Sequence, residues 1–132
     1  MASDDVHLVA RLHSLLLSDR GFTLDLVSGR PVLQGVAVCA APSRALVLRL
    51  SDWSDQIVGS WIGDARAFVH ESGRDDLYVG GWHPAGTDEV HLDVVRVVPA
   101  ERTRVAEAVG RLHRQHAAFD LARRTVVVLQ VA

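Results

Sequence analysis

His83, His91 and Asp93 place two imidazoles and a carboxylate in one short stretch, GGWHPAGTDEVHLDVV at 80–95. Two histidines and a carboxylate are a recognised ligand set for iron or zinc. His91 and Asp93 also have the spacing that puts a base and an orienting acid on one face of a strand. Both chemistries depend on how the stretch pairs. With 77–83 and 89–98 as a hairpin and AGTD as its loop, Trp82 stands opposite His91, Gly80 opposite Asp93 and Tyr78 opposite Val95. Tyr78, Trp82, His91 and Asp93 then share one face. Val79, Val90, Leu92 and Val94 share the other, which reads as the core face.

That pairing limits the chemistry. His83 points away from His91 and Asp93, so two ligands remain on one face and no metal site is expected. An acid–base pair needs a nucleophile to act on. The chain has no G-x-S-x-G, and Ser28, Ser43, Ser51, Ser54 and Ser60 fall at turns or helix starts, where capping accounts for them. Cys39, the only cysteine, lies in the apolar run LQGVAVCAA and reads as a small buried hydrophobe. A lone cysteine excludes an internal disulfide and a cysteine-based zinc site. Neither G-x-x-x-x-G-K-[ST] nor G-x-G-x-x-G occurs, and no cofactor is implied. No catalytic residue is therefore assigned. The residues expected to form a contact surface are Tyr78, Gly80, Gly81, Trp82, His91 and Asp93, with the two glycines opening a groove beside the aromatic rings.

These residues need elements to hold them. Residues 4–18 have the periodicity of an amphipathic helix, with Ser3 as N-cap, Asp4 and Asp5 in the first turn, and Gly21 as the stop. Leu8, Val9, Leu12, Leu15 and Leu16 share its apolar face, and His13 borders it. Phe22, Leu24 and Leu26 alternate with polar residues, SGRP is a turn, and Val32 to Cys39 is a second strand pairing back on the first. RALVLRLS at 44–51 is a third strand. Ser51 or Ser54 caps a second helix running to about His70. Its apolar stripe is Ile57, Val58, Trp61, Ile62, Ala65, Phe68 and Val69, with Gly59 and Gly63 facing outward. Residues 99–116 form a third helix, with Val105, Ala108, Val109 and Leu112 inward and Arg104, Arg111, Arg114 and Glu107 outward. AAFDLARRTVVVLQV reads as strand, turn, strand. The expected fold class is α+β: one domain over 1–132, a curved antiparallel sheet with about three helices on one face, in the order helix–hairpin repeated three times.

Charge and hydropathy narrow the partners. The chain has 132 residues and a formal net charge of −2, so no global attraction to nucleic acid or membrane is expected. The charge is uneven, with seven Arg and thirteen Asp or Glu in 1–95 and seven Arg and three acids in 96–132. Arg104, Arg111 and Arg114 are the expected contacts if nucleic acid is bound. Glu107 among them reads instead as a salt-bridged surface, and nucleic acid is disfavoured. The start of the chain is acidic and interrupted by Arg11 and His13, unlike a signal peptide, and no apolar run approaches the ~20 residues of a membrane span. A cytoplasmic protein is expected. His113, Gln115, His116 and Asp120 mark the passage from the third helix to the next strand, and the histidines suit the helix's negative end.

LYVGGWHPAGTDEVHLDVVRVV, a helix, and then HRQHAAFDL resemble a family of small hypothetical proteins of actinobacteria and their phages, whose pattern is GGW, LDV and Q-A-FDL. GFTLDLVSGRPVLQGVAV resembles the opening of the same family. The chain departs from it at Val95, where the family has serine, and at Arg114, where it has glycine before glutamine. The resemblance implies a source and a fold type and carries over no catalytic residue. The expected function is a non-enzymatic module that binds another protein or itself, in a phage or mobile-element setting. The alternatives are a small ligand-binding or hydrolytic enzyme on the 78–96 hairpin face, with Arg96 near His91 and Asp93, and a weak nucleic-acid binder through the arginine-rich helix at 100–115.

Overall fold

Residue 93 is placed by a ten-residue strand, β5 (Glu89–Val98), around which the rest of the sheet is arranged. The computed structural model describes residues 3–115 and 117–129. In chain order the elements are α1 (Ser3–Asp19), β1 (Gly21–Leu24), β2 (Val36–Cys39), β3 (Leu46–Arg49), α2 (Asp55–Ser72), β4 (Leu77–Trp82), β5, α3 (Thr103–His113), β6 (Ala117–Asp120) and β7 (Thr125–Val128). The sheet is antiparallel, in the order β1-β4-β5-β2-β6-β7, and β3 also pairs with β5. The fold class is α+β, as the sequence implies. The expected roles of Ser3 and Asp4 at the helix start, His116 at the end of the third helix and the last strand residues at 130–131 lie outside the described side chains and residues.

The second and third helix–hairpin units form as expected, through β4–β5 and β6–β7. The first does not. Its turn is built as the sequence suggests. Asp25 accepts hydrogen bonds from Val27 N at 2.7 Å and Ser28 N at 3.2 Å, and Gly29 takes φ 71°. Yet only the single bridge Leu24↔Pro31 follows. Gly35, at φ 100°, turns the chain away. β2 then inserts between β5 and β6. Val36, Ala37 and Val38 are all buried, and a strand apolar on both faces belongs in the middle of a sheet, not on a hairpin edge.

β2 and β3 lie in succession along the same edge of β5. Val36–Cys39 pair with Val98–Val95, and Leu46–Arg49 pair with Leu92–Glu89. Between them the chain leaves the sheet in a short 3-10 turn, Pro42–Arg44. Trp61 Nε1 on α2 donates to Arg44 O at 2.7 Å and fixes this excursion.

All three helices pack on one face. Val9, Leu12 and Leu16 of α1 and Val58, Trp61, Ile62 and Ala65 of α2 meet Leu24, Leu77, Val79, Val90, Leu92 and Val94. Ala106 and Val109 of α3 meet Val36, Val38, Val98, Ala118 and Leu129 in a separate cluster. Ser54 is the cap of α2, accepting from Ile57 N at 3.1 Å, and Gly73 closes the helix at φ 67°. The left-handed residue after α1 is Arg20, φ 61°, while Gly21 opens β1 instead of ending the helix.

Two helices are turned from their expected orientation. On α2, Gly59 is buried and Ile57 is exposed, so only Gly63 faces outward. On α3 the buried residues are Ala106, Val109 and Gly110, while Ala108 is exposed and Leu112 is 75% exposed. The helix begins at Thr103 because Pro99–Arg102 forms a separate turn, Arg102 N to Pro99 O at 2.9 Å. Its small-residue side then lies closest to the sheet, which lets the backbones approach. Among the described residues Glu107 forms no ion pair with Arg104, Arg111 or Arg114, so the expected salt-bridged face is not seen.

Candidate functional site: the helix-free face of the sheet

The register of the β4–β5 hairpin is the one the sequence implies: Trp82 opposite His91, Gly80 opposite Asp93, Tyr78 opposite Val95. Alternation carries Tyr78, Gly80, Trp82, His91 and Asp93 to the face without helices. Gly81 goes to the other face. A Cβ there would lie 2.2 Å from Phe22 Cε1, so the space at Gly81 is filled by the Phe22 ring. Only Gly80 opens toward the helix-free side, where an added Cβ would meet Asp93 Oδ1 at 2.9 Å. The expected two-glycine groove is therefore a one-glycine recess that holds a carboxylate.

The pairings of β2 and β6 bring in residues that the hairpin alone could not reveal. Cys39 stands opposite Val95, and Ala37 opposite Val97 and Phe119. Trp82 and Phe119 are on strands separated by β5 and β2, yet their ring centroids are 6.5 Å apart. Such a contact across two intervening strands requires the sheet to curl with its helix-free face inward. Arg124, on the β6–β7 turn, donates to Asp19 O at the end of α1 at 3.2 Å and ties the curled ends together. Thr23, Ala37, Gly80 and Val95 are buried on this face although no helix covers it. Nothing local in the sequence signals Cys39 or Phe119 as neighbours of the hairpin, because both pairings are long-range.

Asp93 lies largely buried in this recess. Burial pushes its carboxyl up to about 6, opposed in part by the Cys39 thiol, which approaches as a hydrogen-bond donor, and by the charge of His91. Burial, and then the Asp93 charge, push the Cys39 thiol up to about 11. The thiol is thus protonated at neutral pH and is a poor nucleophile. Among the described residues no ion pair to Asp93 is formed. His91 Nε2 instead contacts Glu89 Oε1 at 3.0 Å, at the rim of the same face. Arg96 turns to the helix side, where its Nε donates to Asp76 Oδ2 at 2.8 Å, and it does not approach the His91–Asp93 pair. Asp76 also accepts from Arg74, and that bond, ahead of the charges of Arg96 and Arg74, holds its carboxyl below the usual range.

His83 sits in the loop, its Nε2 at 2.9 Å from Thr87 O, and no metal-holding group of three His, Cys, Asp or Glu occurs among the described residues. Tyr78 borders an open depression of about 490 Å³ together with Asp25, Arg30 and Leu33. Arg104, Arg111 and Arg114 are exposed on and just after α3, far in sequence from the recess. His113 is half-buried at the C-terminal turn of α3, and Gln115 Nε2 donates to its carbonyl at 3.1 Å. No helix among the described residues is long and apolar enough to cross a membrane.

Exposed apolar side chains line the same face. Val47, opposite His91, is 53% exposed, and Trp82, on the other side of His91, is 45% exposed. Val126, opposite Phe119, and Val128, opposite Ala117, are exposed on β7. Chemically this is an aromatic and aliphatic rim around one desolvated acid. No protein-family model matches the chain, and neither a curated protein nor a solved structure is significantly similar to it.

Proposed function

We propose that the protein is a non-enzymatic interaction module that binds a protein partner, or a second copy of itself, through the helix-free face of its sheet. The observation that carries this reading is the set of exposed apolar residues on that face, Val47, Trp82, Val126 and Val128, where no helix covers the sheet. Aromatic residues flanked by aliphatic ones are the usual anchors of protein contacts. The chemistry of the recess supports the same reading, since the thiol is protonated and His91 is engaged by Glu89. The resemblance of the GGW, LDV and FDL segments to small actinobacterial and phage proteins would fit a phage or mobile-element setting.

Affinity capture from a native-type lysate, paired with sedimentation of the isolated chain, tests the proposal. A discrete bound protein, or a dimer, that is lost in Trp82→Ala while the fold is retained is the expected result. Equal binding by wild type and Trp82→Ala would overturn the choice of surface.

A further inference from the structure

Asp93 is set in a place that disfavours its charge, and among the described residues it forms no ion pair, the Cys39 thiol and the charge of His91 offsetting its burial only in part. Its neighbours on the helix-free face are Gly80 and Thr23 across β4 and β1, Cys39 on β2, and His91 on its own strand. The basic groups of that face make their ion pairs with other acids: His91 contacts Glu89, and Arg49 contacts Asp52 at 3.3 Å. A protonated thiol is a weak donor and brings no counter-charge. On the same face, opposite His91 and diagonal to Asp93, stands Trp82, half exposed, whose ring packs on Gly21 and Phe119. Glu89, at the rim, adds a second acidic group.

We infer that this recess receives a basic side chain of a protein partner, an arginine or lysine, with Asp93 as its counter-ion and the Trp82 ring as the surface over which the cation lies. The inference rests on the interaction-module reading and names the chemistry of the partner. A buried carboxylate next to an aromatic face is complementary to a guanidinium or ammonium, through a charge-assisted hydrogen bond and a cation–π contact. An apolar partner side chain would deepen the burial of Asp93 with no counter-charge, and an acidic one would be repelled. A metal ion would find one carboxylate and a protonated thiol, too few ligands. The excess of acidic residues in 1–95 favours approach of a basic segment as well.

The test uses the full chain and blocked pentapeptides with arginine, lysine, norleucine or glutamate as the central residue. The Trp82 indole resonance and the Asp93 carboxyl titration are followed by NMR. The arginine and lysine peptides are expected to shift the Trp82 indole signal and to lower the Asp93 titration from about 6 by a unit or more. Norleucine and glutamate peptides should do neither. Asp93→Asn, which keeps the shape and removes the charge, should weaken the basic peptides at least tenfold. Equal responses to arginine and norleucine, or an undiminished response in Asp93→Asn, would overturn the inference. If Asp93→Asn still captured the partner that Trp82→Ala loses, the basic-side-chain inference would fail while the interaction surface stood. If the basic peptides bound as expected but Trp82→Ala kept its protein partner, the interaction reading would fail by itself.

Discussion

Alternate residues of β5 live in two different solvents. Val90, Leu92 and Val94 are 0% exposed beneath α1 and α2, in a layer closed by side chains from β1, β4 and both helices. His91 and Asp93, between them, face a surface closed only by the curl of the sheet and by Trp82 and Phe119. Those three positions on the first face are apolar and fully enclosed, with Arg96 and its partner Asp76 at the edge. The second keeps a carboxylate, a thiol and a half-exposed indole within a few residues of one another. One strand thus stabilises the fold with its even residues and holds a strained electrostatic arrangement with its odd ones. Burial by the helices is concentrated on one side of the strand.

Substitutions on the two faces should separate these roles. Leu92→Ala removes a fully buried side chain from the helix-covered core and is expected to cost about 2–5 kcal/mol in chemical denaturation. A loss below about 1 kcal/mol would mean that this face is less completely packed than its burial indicates.

Asp93→Asn should act in the opposite direction. The carboxyl titrates near 6 in the fold against an ordinary 3.8. Below the lower value it is protonated in both states and the charge costs nothing. Between the two values the unfolded chain ionises first, so stability falls as pH rises. Above the upper value the whole cost is present, at most about 3 kcal/mol. Asp93→Asn is therefore expected to be about 1–3 kcal/mol more stable than wild type at pH 8, with the difference vanishing near pH 4. Destabilisation at pH 8 would contradict the picture of a buried charge that its neighbours compensate only in part.

The adjacent glycines give a sharper contrast, because they face opposite sides. Gly81→Ala drives a methyl group into the Phe22 ring and is expected to cost about 1–3 kcal/mol. Gly80→Ala meets the Asp93 carboxylate, so it should shift the Asp93 titration, which Gly81→Ala should leave in place. Trp82→Ala is expected to have the smallest effect on stability, about 1 kcal/mol, because much of its ring is already in water. Its effect on partner binding should be complete, and calorimetry beside capture reads both quantities.

Local pattern made part of this site legible. Alternation along 89–98 and the short polar loop set both the strand and its register, so the cross-strand neighbours of Trp82 and Asp93 could be named from the chain. Amphipathic spacing likewise placed Leu12 and Leu16 in the core. Orientation was less legible where a helix had apolar residues on more than one side. On α3 the small residues Ala106 and Gly110 took the inner position, and Leu112 was left in solvent. There the closeness of helix and sheet outweighed the hydrophobicity of one leucine.

Within its own composition the sequence determined the α+β class, the β4–β5 and β6–β7 hairpins and the placing of Tyr78, Trp82, His91 and Asp93 together on the face opposite the core, because each follows from periodicity and turn residues over a few positions. Only the tertiary structure decided that β2 leaves β1 to lie between β5 and β6, that the sheet curls until Trp82 meets Phe119, and that Cys39 comes to rest beside Asp93. Those outcomes depend on pairing between segments distant in the chain, and on which of several apolar strands gains most by being buried on both faces.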